Sequence, residues 1–319
     1  MPITVYVTRD FEQMSDVAAQ LVEAALSALQ ELKPQVVLGL ATGNSPTGMY
    51  RHLARAANEG RLNSAAWKSF NLDEYIGLPG VNAQQRASHP ESYTFFMIES
   101  LFGLLKRKPS EAYVPWGTLV EQRELLDALE SNPSDWELKG QSKGKAVVIR
   151  EDARSEYLQW VRRELLLPYT REIERSGGID LQVLGVGGKG HVAFHESGIP
   201  FDVKGLLLVE LDRVTQEHAV SDGHFPSLDD CPRYALSMSV DLAFQARSTL
   251  ILANGSRKTE AISCSLLEPP TAEVPLSYVQ TYADRGGEAI LVLDEAAAAG
   301  LLAVSGTLAE RGIELLDHR

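Results

Sequence analysis

Apolar and polar positions along this chain follow two rhythms. Short apolar runs read as buried strands: "ITVYV" (3–7), "QVVLGLA" (35–41), "IDLQVLGVG" (179–187), "STLILAN" (248–254) and "EAILVLD" (288–294). "WKSFNLDEY" (67–75) holds a further strand, and "YALSMSV" (234–240) another. Between them, apolar residues recur at helical spacing over 11–32, 46–60, 92–105 and 155–175. Pro46 opens the second of these helices, and Pro168 interrupts or ends the last. Strand and helix alternate throughout, which predicts an α/β fold with a mostly parallel sheet and helices on both faces. No internal repeat is visible.

Residues 106–150 break the rhythm. Pro109, Pro115 and Pro133 and the run "KGQSKGK" (139–145) surround a single short helical pattern at 121–131. This segment reads as an insertion within one domain spanning 1–319, and no chemistry is expected there.

Composition narrows the function. The 319 residues are 44% hydrophobic and 23% charged, enough for a large core. A net charge of -13 argues against nucleic-acid binding through phosphate neutralisation. An anionic small molecule would need locally placed donors. Two cysteines, Cys231 and Cys264, are too few for a disulfide framework or a closed thiolate zinc site, so a reduced, cytoplasmic protein is expected. The first residues lack the pattern of a signal peptide, and no apolar run reaches the length of a membrane span.

Ligands of open parallel sheets sit beyond the carboxyl ends of the strands. Four such ends carry unusual residues. In "GLATGNSPTGMY" (39–50), Thr42, Gly43, Asn44 and Ser45 precede a helix, and backbone N–H groups there could take a phosphate. The alternative is a plain turn with Ser45 as N-cap. In "FNLDEYIGLPG" (70–80), strand alternation points Asp73 and Glu74 opposite ways. One could act as a general base; the alternative is an aspartate capping its own backbone. In "LGVGGKGHVAFHESG" (184–198), His191 could be an acid/base with Glu196 orienting it, or an ordinary loop histidine. In "LILANGSRKTEAI" (250–262), Lys258 sits where a helix dipole disfavours a cation unless an anion binds, the alternative being a solvated lysine.

Together these blocks resemble the glucosamine-6-phosphate deaminase/isomerase family, as do "HPESYTFF" and "CPRYALSMSV". They occur in family order, and the pairing of "NLDEY" with "GHVAFHE" is the specific part. The resemblance implies a Rossmann-like, doubly wound domain with a lid over the site. It implies ring opening of a hexosamine 6-phosphate, proton transfer between C2 and C1, and loss of ammonia, with neither metal nor organic cofactor. Asp73 matches the enolisation base, His191 the ring-opening acid/base and Glu196 its carboxylate partner. Thr42, Gly43, Asn44 and Ser45 match the phosphate loop and Lys258 the phosphate lysine. The implied partner is a phosphorylated amino sugar, not nucleic acid or membrane, and self-association into a homo-oligomer stays open.

Four departures accompany the resemblance. Lys189 stands two residues before His191, where the family carries Asp or Asn, and His195 replaces the usual Asn before Glu196. The lid segment "SDGHFPSL" offers His224 where the family supplies an arginine to the phosphate. The basic residues that bind an allosteric activator have no match in 197–208. Two rival readings follow: a 6-phosphogluconolactonase, which shares the fold and phosphate loop, and a sugar-phosphate sensor without turnover. "GHVAFHESG" and the retained "DEYIGL" favour the deaminase over the lactonase, and intact Asp73, His191 and Glu196 disfavour the sensor.

Overall fold

Eight strands form one parallel sheet in the computed structural model, which describes residues 3–141 and 144–319. Ser142 and Lys143, inside the run at 139–145, lie outside the described residues. In chain order the strands are β1 Ile3–Thr8, β2 Val36–Leu40, β3 Trp67–Asn71, β4 Asp73–Ile76, β5 Glu111–Tyr113, β6 Trp136–Lys139, β7 Lys145–Ile149, β8 Leu181–Gly185, β9 Leu206–Glu210, β10 Tyr234–Met238, β11 Ser248–Ala253, β12 Glu288–Asp294 and β13 Ile313–Asp317. The parallel sheet runs β13-β1-β12-β11-β8-β2-β3-β5. Every residue of β2 and of β3 is buried, so helices and loops cover both faces.

The chain is doubly wound. It moves outward from β2 to β3 and β5 on one side, and from β8 to β11 and β12 on the other. The winding direction reverses between β2 and β8, where the connections part and leave a crevice at the strand ends.

A second, antiparallel sheet, β4-β10-β9-β7-β6, was not legible in the sequence. It corrects two expectations. The run 67–75 is two strands, not one: β3 ends at Asn71, and after Leu72 the chain enters β4 in the other sheet. The run at 234–240 pairs with β4 and β9, and takes no place in the parallel sheet. Local apolar patterning cannot distinguish these, because β4 and β10 are buried as fully as β2 and β3.

Residues 106–150 are built into both sheets, through β5 in the first and β6 and β7 in the second. The helix expected at 155–175 is continuous in path but winds as a π-helix over Val161–Leu166, between Glu156–Trp160 and Leu167–Arg175. The wider turn lies just before Pro168, which has no N–H for the regular ladder. Tyr169 then donates its hydroxyl to the Asn71 carbonyl at 2.7 Å, tying this helix to the end of β3.

Candidate active site

A cavity of about 290 Å³ opens at the crevice between β2 and β8. Four loops wall it: Ala41–Pro46 after β2, Leu72 and Asp73 after β3, Gly185–Phe194 after β8, and Asn254–Lys258 after β11. The four motif blocks singled out in the sequence therefore meet at one place.

The carboxylate pair divides as strand alternation requires. Asp73 faces the cavity and is 4% exposed. Glu74 faces away and is fully buried. It accepts from the backbone N–H of Tyr93 and Thr94, each at 3.0 Å, and from Ser92 Oγ at 2.8 Å, so it caps the helix Tyr93–Ser100. Capping is thus the work of Glu74, not Asp73. Burial first, and then the neighbouring Glu74 charge, hold the Asp73 carboxyl well above the usual carboxylate range. The Thr42 hydroxyl, 3.5 Å from Oδ1, pulls the other way.

The loop after β2 presents backbone to the cavity. Gly43 has φ 96°, a left-handed conformation that glycine adopts without strain. Ser45 is no N-cap: its hydroxyl donates to Asn254 Oδ1 at 2.8 Å, joining this loop to the one after β11. The helix begins at Thr47, with Pro46 as the cap residue. Beyond Asn254, both Asp294 oxygens accept from Gly255 N–H, at 2.8 and 3.0 Å, which sets the turn that delivers Arg257 and Lys258. Burial, then the Arg257 charge, push the Lys258 ammonium below its ordinary value.

His191 and Glu196 come together as the sequence implied, with Nδ1 3.5 Å from Oε2. Glu196 is nearly buried and also accepts from Thr215 Oγ1 at 3.0 Å and Asp212 N–H at 3.3 Å. The glycines around His191 have a steric reason. A Cβ on Gly187 would lie 1.8 Å from His191 Nε2, so glycine there makes room for the imidazole. Ala193, on the cavity wall, has φ 52°, a conformation that non-glycine residues rarely hold. Lys189 is exposed at the rim of a small cleft behind His191, where water screens its charge. His195 points into the core: Nδ1 accepts from Val240 N–H at 3.2 Å, and Nε2 donates to the Ile199 carbonyl at 3.1 Å. These partners require the neutral imidazole, and burial lowers its pKa to about 4.

His224 is not brought to the cavity. Its Nδ1 lies 2.7 Å from Glu91 Oε2, in the segment that follows the helix Arg213–Ser221. Further cavity residues to which the sequence reading gave no role include Tyr93, Phe194, Asp222 and Arg257. Tyr93 stacks on Phe194 with ring centroids 5.8 Å apart, forming an aromatic wall. Asp222 and Arg257 face each other at 3.2 Å. The basic pair "RK" was the available signal for Arg257.

No family model matches the chain. It is 32% identical to glucosamine-6-phosphate deaminase of Clostridium perfringens (strain 13) over 294 residues, 92% of this chain and 97% of that protein. It is also 32% identical to glucosamine-6-phosphate deaminase of Clostridioides difficile, over 93% of this chain and 96% of that one. Among solved structures, a monomeric glucosamine-6-phosphate deaminase of the NagB superfamily superposes with a TM-score of 0.68 at 26% identity, covering 93% of this chain and all of that one. The 6-phosphogluconolactonase of Leishmania guyanensis shares the fold, with a TM-score of 0.58 at 18% identity.

Proposed function

The chain belongs to the glucosamine-6-phosphate deaminase family, and from that premise we propose that it converts glucosamine 6-phosphate and water to fructose 6-phosphate and ammonia. The observation that supports this most is the meeting of Asp73, the His191–Glu196 pair and the Thr42–Ser45 and Lys258 loops at one cavity.

Each group has a task suited to its surroundings. The backbone of Gly43–Ser45 and the Lys258 ammonium take the 6-phosphate. His191, with Glu196 behind it, moves a proton from the C1 hydroxyl toward the ring oxygen, and the C1–O5 bond opens. Asp73 takes the proton from C2 and returns it at C1. A carboxyl held high by burial is a stronger base once ionised than a solvated one, which suits it to a weakly acidic C–H beside a carbonyl. Water then replaces the amine at C2 and ammonia leaves. We further read residues 1–319 as one deaminase-like unit, with 106–150 an insertion folded into it.

The test is a substrate panel of hexosamine 6-phosphates and 6-phosphogluconolactone, scored for ammonia and for acid release. Ammonia from glucosamine 6-phosphate is expected, and acid release from the lactone alone would overturn the reading. Asp73→Asn keeps the shape and removes the base. It should lower turnover by roughly 10²–10⁴-fold while substrate affinity stays within a few fold.

A further inference from the structure

Two cations enter the cavity side by side from the turn after β11. Lys258 is half-buried, and no carboxylate among the described residues forms an ion pair with it. Arg257 is exposed, and its Nη1 lies 3.2 Å from Oδ1 of Asp222. Asp222 comes from the other side of the opening, as the residue that ends the helix Arg213–Ser221. Both Arg257 and Asp222 line the cavity, together with the glycine turn at Gly43.

A sugar phosphate carries close to two negative charges at neutral pH. Lys258 supplies one positive charge, and the lid segment 221–228 contains no arginine or lysine to supply another. The remaining cation at the cavity is Arg257, whose planar fork matches a phosphate better than a point charge does. It is already engaged by a carboxylate, and a carboxylate and a phosphate repel one another at a shared guanidinium.

Resting on the reading that this cavity takes a 6-phosphate, we propose that Arg257 is the second phosphate-binding cation of this enzyme. Asp222 holds it in the absence of phosphate, and the two anions exchange on it. The exchange is easily driven, because an exposed ion pair contributes only a few-fold to an equilibrium, whereas a phosphate meets Arg257, Lys258 and the backbone of the glycine turn at once. It also couples the lid to the substrate. When the phosphate takes Arg257, the end of the helix Arg213–Ser221 loses its ion pair to the floor of the site. The same helix supplies Thr215 to Glu196, so the exchange reaches the His191–Glu196 pair through one short element.

The experiment is calorimetric titration of the protein with inorganic phosphate and with glucosamine 6-phosphate. It uses the unaltered chain, Arg257→Ala, Arg257→Lys, Asp222→Asn, and the double variant Arg257→Ala with Asp222→Asn. Arg257→Ala should weaken inorganic phosphate about tenfold. Arg257→Lys, which keeps the charge and the fold, should recover part of that loss. Asp222→Asn should tighten phosphate about threefold by removing the internal competitor. It should have no such effect once Arg257 is alanine. Equal tightening in both backgrounds would show that Asp222 acts as a distant charge and would overturn the exchange. Unchanged phosphate affinity in Arg257→Ala and Arg257→Lys would overturn the role of Arg257. Ammonia release by the unaltered chain is scored separately. Its absence alongside the expected phosphate pattern would refute the deaminase reading and leave the exchange standing.

Discussion

Thr42 opposes two forces that act on Asp73. Burial and the Glu74 charge push the carboxyl up, and the Thr42 hydroxyl draws it down. If Asp73 is the base, it works only when ionised, so activity is lost as pH falls through its raised pKa. Thr42→Val removes the lowering contact. The acidic limb of kcat/KM against pH should then move to higher pH; an unmoved limb would assign it to another group. His195 is a second residue with a signed consequence. Its folded pKa of about 4 lies below the ordinary 6.5. Between those values the unfolded chain binds a proton that the folded one does not, so stability present above 6.5 is lost as pH falls toward 4. At about pH 5 the loss amounts to about 2 kcal/mol. His195→Asn, the residue usual in the family, should narrow the difference between urea midpoints measured near neutral pH and near pH 5. An unchanged difference would place the acid sensitivity elsewhere.

At the scale of elements, the hairpin of β6 and β7 is the unexpected contributor. Proline content and the basic-glycine run marked 106–150 as a place without chemistry. Yet a Cβ on Gly144, just before β7, would lie 2.3 Å from the Cβ and Cγ of Glu196. The hairpin therefore backs the carboxylate that stands behind His191. Gly144→Ala should push Glu196 and lower turnover about tenfold, since small misplacements of catalytic groups are costly. Inorganic phosphate should bind as before, because the loops proposed to hold the phosphate are not touched. Parent-like turnover would show that Glu196 tolerates the shift. Glycine was visible at 144 in the sequence, but its partner lies fifty-odd residues away and only pairing of β7 with β9 brings them together.

For the whole molecule, the family resemblance implies that an activator, if one bound, would need basic residues in the segment 197–208. Its one cation is Lys204, which lies 3.9 Å from Asp241 and so already faces a carboxylate. Rates should depend hyperbolically on substrate, and N-acetylglucosamine 6-phosphate should not activate. A sigmoidal curve made hyperbolic by that compound would refute this. Architecture at this scale was largely legible. Alternating periodicities specify a buried parallel sheet, and a doubly wound sheet opens its crevice where the winding reverses, at the strand ends that carry the glycine and carboxylate motifs.

What the sequence determined by itself was local: which runs form strands and helices, which glycines turn the chain, and which side of a strand Asp73 and Glu74 take. These depend on neighbours a few residues apart, where the geometry is nearly invariant. What only the tertiary structure decided was non-local. The run 67–75 splits between two sheets, Glu74 caps a helix nineteen residues on, His195 turns into the core, His224 pairs with Glu91, and Asp222 meets Arg257. Each of these outcomes is settled by a hydrogen-bond or charge partner supplied by a distant segment. A polar group leaving water takes whichever partner the packed chain brings within about 3 Å, and no local pattern encodes that partner.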